Sequence, residues 1–394
     1  MGGLRVSTRV IAIIKIAILA RILVPEQFGL FGIASLVLVF LEVVTQTGIN
    51  AFFIQGEGKL KDYIDTAWVV SIIRGLVISL LIFASAPLIA VFFNSPNSKF
   101  LLYLIGIVPI IRGFINPAIV RYQKELQFNK EFLLRFSVFT FDAFVSITLA
   151  LVTKNAASLI WGLIAGAVME VLLSHLAIKP RPKFGIEMSK FKKIINRGKW
   201  FTFAGIFEYL FIQGDDIVVG KLLETRMLGL YQVAYRISTL PITEAGMVLS
   251  RVTFPVFSKI SEDSIRLRKA FMRTTAVLFV FVVPFGLILF LFPKEIILII
   301  LGSAWTEAAP VLKVLAAFGV IKAIKDSSYA LFKAVKKQEY ITAITFVSIV
   351  GMAIFIIPFV NKAGILGAAY AAIIGLLLSL PLAFYYVVKV LKAK

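Results

Sequence analysis

The sequence predicts an all-α integral membrane protein of twelve transmembrane helices in two six-helix lobes. Hydrophobic residues make up 60% of the 394-residue chain, and its mean hydropathy is +0.95, whereas an ordinary soluble domain is roughly half apolar. Apolar windows near the ~20 residues needed to cross a bilayer recur along the whole chain. A sequence pattern also returns at a spacing of 200 residues. These three observations together define the fold class.

Twelve apolar windows define the predicted spans. They cover about residues 8–24, 28–50, 67–93, 100–120, 131–152, 156–178, 200–220, 228–254, 270–292, 308–332, 338–360 and 364–388. Proline or glycine lies inside many windows, which membrane helices tolerate when neighbouring helices or water satisfy the freed carbonyl groups. The windows predict an N-terminal lobe (1–178), a basic cytoplasmic linker (179–199) and a C-terminal lobe (200–394).

The two lobes carry the repeat. ARIL at 20–23 and FGLF at 28–31 return as GKLL at 220–223 and LGLY at 228–231. Since six is an even number of spans, both halves enter the membrane in the same direction, and a pseudo-two-fold axis along the membrane normal is expected. Duplicated bundles around a shared site are typical of transporters. The repeat therefore favours a carrier.

Charge orients the chain and excludes several functions. Of 42 Lys and Arg residues, eight lie in the linker and only seven in the loops predicted on the opposite side, so both termini are expected in the cytoplasm. Excess basic charge in such a protein indicates contact with anionic lipid rather than nucleic acid. No cysteine and a single histidine argue against a metal centre. No loop is long enough to hold a sugar donor, which argues against an enzyme.

Basic residues inside the spans predict the binding site. A charge at mid-membrane costs about 2.5 kcal/mol or more, so it usually faces a cavity or a partner. Arg112, Asn116 and Gln123 match positions 322, 326 and 333 at an offset of 210, and their spacing predicts one polar face on each helix. An anion such as a diphosphate fits such a basic cavity; a chloride-lined or water-filled vestibule is the alternative. The predicted cavity residues are Lys15, Arg74, Arg112, Asn116, Arg236, Lys322 and Lys325.

Two further expectations concern this polar set. Lys322 and Asp326 are spaced for an ion pair that neutralises itself, whereas Lys325 and Arg112 have no obvious partner in the sequence. Carboxylates inside spans carry protons or sodium in some proteins and balance arginines in others. The candidates for Na⁺ or H⁺ coupling are Asp142, Glu170, Asp215, Asp216 and Asp326. Gly162 and Gly166 predict close packing of two helices.

Several motifs together resemble one family of transporters. They are ARIL at 20–23, PEQFGLF at 25–31, TGI at 47–49, DIVVGKLL at 216–223, LGLYQVAYR at 228–236 and FPVFSK at 254–259. This combination resembles the O-antigen and exopolysaccharide flippase group of the multidrug/oligosaccharidyl-lipid/polysaccharide exporter superfamily. The resemblance covers nearly the whole chain.

The resemblance implies a function in polysaccharide synthesis. It implies a cell-membrane transporter that flips a polyprenyl-diphosphate-linked oligosaccharide to the outer leaflet by alternating access, for lipopolysaccharide or exopolysaccharide synthesis. No cofactor and no catalytic residue are implied, and a polysaccharide polymerase and glycosyltransferases are candidate partners. A multidrug cation antiporter of the same fold is the alternative, although its cavity should be acidic. A membrane-embedded glycosyl transferase or ligase is a further alternative.

Overall fold

A computed structural model describes residues 2–47 and 60–392 of the chain. This described part consists of α-helices, two short 3₁₀ segments and connecting turns, and it contains no β-strand. The all-α prediction is therefore confirmed. The chain divides into two compact units, Met1–Gly214 and Asp215–Lys394. The division falls inside one continuous helix, because helix formation runs without interruption from Met188 to Leu222.

The first unit contains eight complete helices in its described part and most of a ninth. Its helices are α1 (Gly2–Ile22), α2 (Pro25–Val44), α3 (Leu60–Phe92), α4 (Ser98–Ile105), α5 (Ile107–Gly113), α6 (Arg121–Lys124), α7 (Phe128–Thr153), α8 (Ala157–Ala177) and α9 (Met188–Leu222). A proline opens α2 because its fixed φ suits the first helical position. Lys154 ends α7 in the left-handed conformation, with φ of 48°.

The second unit begins with the end of α9 and continues through five further helices. These are α10 (Thr225–Lys259), α11 (Ser264–Leu291), α12 (Pro293–Ile300), α13 (Ala309–Ala334) and α14 (Gln338–Lys392). Asp263 caps α11, since its side chain accepts a hydrogen bond from the Arg266 backbone amide. Helix α14 bends at Ala363 and Gly364, where Gly364 has a φ of 57° that favours glycine. The last two predicted windows are the two arms of this bent helix.

Each unit has its own apolar core, and large apolar side chains also cover its outside. In the first unit, residues of α2, α3, α4, α5 and α8 pack together, including Ala34, Ile82 and Ile160, which are fully buried. In the second unit, Phe257 packs with Leu331 of α13. Exposed leucines and phenylalanines on these helices match the surface that a lipid-embedded protein presents.

Six helices of the described part are long and apolar enough to cross a membrane, or seven if one bent pair counts as a single span. That pair is Ser98–Gly113 with Pro117–Lys124, whose axes differ by 73°. The chain is thus a multi-pass membrane protein. The fourth predicted span, expected as a straight helix over about 100–120, is wrong in this respect. Pro117 lacks an amide hydrogen and disfavours helical geometry at Asn116, so the helix stops at Gly113 and the chain turns.

Candidate functional site

Lys15 of α1 forms an ion pair with Asp142 of α7. The Lys15 Nζ atom lies 2.8 Å from Oδ1 and 2.9 Å from Oδ2 of Asp142, and the two side chains are 15% and 12% exposed. The Ser146 hydroxyl donates a further hydrogen bond to Asp142, at 3.3 Å. Two helices that are remote in sequence are therefore joined by a largely buried charge pair. Lys15, predicted to line a cavity, has the Asp142 carboxylate beside it.

Glycines on α8 allow α7 to approach this ion pair. A Cβ atom at Gly162 would lie 1.8 Å from Ser146 Oγ and 2.5 Å from Asp142 Oδ1, and one at Gly166 would lie 3.1 Å from Asp142 Cβ. The prediction that these two glycines serve close helix packing is confirmed. Their absent side chains leave the space in which the Asp142 carboxylate sits.

A second polar cluster joins α2, α3 and α5 at the end of α2. Arg112 Nη1 donates to Glu42 Oε1 at 3.0 Å. Arg74 Nη2 donates to the Glu42 backbone oxygen at 2.6 Å, and its Nε atom donates to Thr45 Oγ1 at 3.1 Å. Arg74 therefore satisfies a carbonyl at a helix C-terminus, where positive charge is favourable. Arg112 has a partner after all, and the sequence expectation that it lacks one is wrong.

Asn116 has a structural role at the break after α5. Its Oδ1 accepts from the Ala118 amide at 3.0 Å, and its Nδ2 donates to the Pro180 carbonyl at 3.1 Å. The residue is fully buried. Arg112, Asn116 and Gln123 do not share one helical face, because the chain is not a continuous helix between them. The corresponding positions of the second half, 322, 326 and 333, all lie in the continuous helix α13.

The second unit buries two consecutive carboxylates. Asp215 Oδ2 accepts from the Tyr231 hydroxyl at 2.6 Å, and Asp216 Oδ2 accepts from Gln232 Nε2 at 3.1 Å. All four residues are at most 9% exposed. Arg236, one turn further along α10, attracts Asp216 electrostatically. Neutral donors and one arginine therefore hold this pair of aspartates.

Helix α13 carries a compact charge group. Lys322 Nζ lies 2.5 Å from Asp326 Oδ2, and Lys325 Nζ lies 3.5 Å from Asp326 Oδ1. The predicted ion pair of Lys322 with Asp326 is confirmed, and Lys325 shares the same carboxylate, contrary to the expectation that it has no partner. The Lys325 side chain is fully buried, and its Nζ lies over the Tyr329 ring, 5.7 Å from the centroid. Tyr235 lies within electrostatic range of Asp215, Asp216 and Asp326.

Sequence reasoning missed the partners rather than the charges. The partners that complete the clusters are Glu42, Thr45, Tyr231 and Gln232. Of these, only Glu42 was recognisable from the sequence as a polar partner, because it is a carboxylate inside a predicted span. Glu170 is half-buried on α8, and no described side chain forms an ion pair with it.

Within the described residues, no group of three His, Cys, Asp or Glu side chains is placed to hold a metal ion.

The segment after α8 is fastened to the first unit outside the spans. The Lys183 amide donates to Asp65 Oδ1 at 2.8 Å, and the Glu187 amide donates to Thr66 Oγ1 at 3.2 Å. A hydrogen bond from Lys190 lowers the pKa of the Glu187 carboxyl below its usual value. These contacts hold the predicted linker against the start of α3, and the linker becomes helical from Met188.

A family model described as polysaccharide biosynthesis protein matches residues 18–310. Among curated proteins, the chain is similar to the lipopolysaccharide biosynthesis protein WzxC of Escherichia coli (strain K12). The two are 24% identical over 370 residues, which cover 93% of this chain and 74% of WzxC.

Two solved structures share the fold. A structure titled lipid II flippase MurJ in an inward closed conformation matches with a TM-score of 0.81 at 14% identity, covering 99% of this chain and 88% of that one. An inward-facing multidrug resistance MATE family transporter matches with a TM-score of 0.75 at 15% identity, covering 100% and 99%. At such low identity, these matches show the fold alone.

Proposed function

The chain belongs to the polysaccharide biosynthesis protein family, and from this premise we propose that it flips a polyprenyl-diphosphate-linked oligosaccharide across the cell membrane. The lipid moves from the cytoplasmic to the outer leaflet by alternating access and feeds the synthesis of a lipopolysaccharide or exopolysaccharide. The observation that carries the proposal is the family match over residues 18–310, which includes Arg74, Arg112 and Arg236, three of the six basic residues proposed to bind the diphosphate. WzxC, by its name, serves lipopolysaccharide biosynthesis.

The proposed architecture has twelve spans in two six-helix lobes, with both termini in the cytoplasm and a pseudo-two-fold axis along the membrane normal. The helix bounds support the repeat: α1 and α9 end at Ile22 and Leu222, and α2 and α10 begin at Pro25 and Thr225. Both connections therefore keep a spacing of 200 residues. The distribution of basic residues among the loops supports the orientation.

A basic path solves the main physical problem of this transport. A diphosphate and many sugar hydroxyls cannot enter hydrocarbon without partners, since each unpaired polar group costs several kcal/mol. In the proposal, basic side chains hold the diphosphate in turn while the polyprenyl chain stays in lipid. These side chains are Lys15, Arg74, Arg112, Arg236, Lys322 and Lys325. Asn116 is left out of the path because its polar atoms are engaged at the break after α5.

The membrane potential supplies part of the driving force. Moving two negative charges outward across an inside-negative potential is favoured by about 4–5 kcal/mol at 100 mV. No cofactor is required in this proposal. The return of the empty carrier is the step at which Na⁺ or H⁺ acts, with Asp142, Glu170, Asp215, Asp216 and Asp326 as candidate sites. A polysaccharide polymerase and glycosyltransferases are expected neighbours, because they consume and build the lipid-linked sugar.

Two other functions remain to be separated from this one. A multidrug cation antiporter is supported by the MATE-like fold, but organic cations call for an excess of carboxylates, and the charge group on α13 has two lysines to one aspartate. A membrane-embedded transferase or ligase would turn over a sugar donor in purified form. We propose transport without catalysis.

The test is lipid movement by the purified chain in proteoliposomes, measured with a fluorescent polyprenyl-diphosphate sugar. The native chain is expected to move the lipid, and Arg112→Ala and Lys322→Ala are expected to slow it at least tenfold. Arg135→Ala is the matched control, since Arg135 also lies 3.0 Å from a glutamate but is half exposed at the start of α7. Export of an organic cation without lipid movement would contradict the proposal, and so would equal losses in all three variants.

A further inference from the structure

Glu42 is the point at which two arginines meet in the first unit. Arg74 from α3 binds its backbone oxygen, and Arg112 from α5 binds its carboxylate. Among the described residues, Glu42 alone supplies a carboxylate within ion-pair distance of Arg112. The group of three side chains has one net positive charge. It is therefore a cationic site that contains its own anion.

Arg112 has hydrogen-bonding capacity to spare. One of its guanidinium donors, Nη1, is used on Glu42, while its Nε atom is buried and has no acceptor within the described structure. A guanidinium offers five donors in a fixed fork and binds phosphate through two parallel hydrogen bonds. A phosphate that binds Arg112 through Nη1 competes with the Glu42 carboxylate for that donor.

This pair is also open to a ligand. The side chains of Arg112 and Glu42 are 37% and 30% exposed, whereas those of Lys15 and Asp142 are 15% and 12% exposed. An anion can reach Arg112 without first opening a buried contact. The exposed pair, rather than the buried one, is placed for exchange of its anion.

We propose that Glu42 is an internal counter-ion that holds Arg112 in the empty carrier and gives way to the diphosphate of the substrate. The identity of that substrate rests on the proposed function. In the empty state, the carboxylate compensates a cation that would otherwise be isolated near the bilayer interior. In the loaded state, like charge repels the diphosphate and hastens its release. Glu42 thus weakens binding and accelerates turnover.

The first test measures the affinity of the purified chain for inorganic diphosphate by titration calorimetry in detergent. Two neutral replacements, Glu42→Gln and Glu42→Ala, are used so that the test can still be made with one variant if the other misfolds. Each is expected to bind diphosphate about fivefold more tightly than the native chain, the size set by loss of one partly exposed charge pair. Glu42→Asp, which keeps the charge, is expected to stay near the native affinity.

Two controls separate this site from general charge effects. Glu131→Gln removes a glutamate that lies 3.0 Å from Arg135, and it is expected to leave diphosphate affinity unchanged. The double variant Glu42→Gln with Arg112→Gln is expected to lose the gain. An unchanged or weaker affinity in both neutral variants would overturn the counter-ion role, and so would a gain that persists without Arg112.

Lipid movement in proteoliposomes is the second readout. Glu42→Gln is expected to lower both the KM for the lipid-linked sugar and the maximal rate, because tighter binding slows release. A merely structural role would lower the rate without lowering KM. If the native chain moves no lipid while Glu42→Gln still gains diphosphate affinity, the flippase proposal fails and the counter-ion role stands. If lipid moves and neither affinity nor KM responds, only the counter-ion role fails.

Discussion

Helices α1 and α9 hold equivalent places in the 200-residue repeat, yet they carry opposite charges at the same position. Lys15 in α1 corresponds to Asp215 in α9. Lys15 is paired with a carboxylate from α7, whereas Asp215 accepts a hydrogen bond from the neutral Tyr231 of the next helix, α10. Both positions are polar and largely buried. The repeat has kept a polar position while its charge and partner changed.

Because Lys15 has a charged partner and Asp215 a neutral one, loss of the partner should affect stability differently at the two positions. In the first unit, Lys15 is in direct contact with the Asp142 carboxylate, so neutralising Asp142 removes a charged partner from a largely buried cation. In the second unit, the neutral Tyr231 hydroxyl donates to the Asp215 carboxylate, and a neutral amide can replace that carboxylate. Substitutions at the two places should therefore differ in their cost to stability.

Asp142→Asn should have the largest effect. It leaves Lys15 facing a neutral amide in a site where both side chains are mostly buried, and breaking such a pair costs about 3 kcal/mol. Thermal unfolding of the purified protein in detergent is expected to shift clearly downward. Lys15→Met combined with Asp142→Asn removes both charges and should recover much of the loss; no recovery would show that the charge pair is not the cause.

Gly162→Ala should come next. The added methyl group would meet Ser146 Oγ and the Asp142 carboxylate, so α7 and α8 must separate, at a cost of about 2 kcal/mol. The same thermal measurement applies. Gly246→Ala in α10 is the control, because no atom lies within 4 Å of a Cβ built there. Equal shifts for the two variants would exclude the close approach as the cause.

Tyr231→Phe tests the second unit and should cost less. It removes the 2.6 Å hydrogen bond to Asp215, and a bond to a charged group contributes about 1.5 kcal/mol or slightly more. Thermal unfolding of Tyr231→Phe in the Asp215→Asn background should show a smaller shift than in the native background. Identical shifts in both backgrounds would mean that the ring packing, not the hydrogen bond, matters.

Asp215→Asn should have the smallest effect, below about 1 kcal/mol in the same assay. The amide can still exchange a hydrogen bond with Tyr231, no cation loses its counter-charge, and repulsion from the adjacent Asp216 disappears. The contrast with Asp142→Asn is the direct measure of the difference between the two units. Equal destabilisation by the two substitutions would contradict the claim that a charged partner matters more at Lys15 than a neutral partner does at Asp215.

The sequence predicted the helical membrane fold and the contacts that are local along the chain. The Lys322–Asp326 pair follows from four-residue spacing on one helix, and Gly162 followed from a known packing pattern. Pro117 is the sequence signal for the bend at Asn116, whereas the spacing of positions 112, 116 and 123 alone indicates one continuous helix. A residue before proline disfavours helical geometry, and Asn116 accordingly has an extended backbone conformation in the structure.

The long-range partners could not be predicted in the same way. Lys15 and Asp142 are 127 residues apart, and Glu42 and Arg112 are 70 apart. No periodicity links residues on different helices at such separations, so each charge was visible in the sequence while its partner was not. For that reason, Arg112, which has no obvious partner in the sequence, is paired with Glu42 in the structure.

The most direct test of the proposed function is the rate of lipid movement by the native chain as a function of an imposed membrane potential. Proteoliposomes containing a fluorescent polyprenyl-diphosphate sugar are compared at zero potential and with the side that represents the cytoplasm made negative. We expect lipid movement in the outward direction that accelerates with potential and is lost in Arg112→Ala but not in Arg135→Ala. Absence of lipid movement at every potential, with export of an organic cation by the same preparation, would contradict the flippase function.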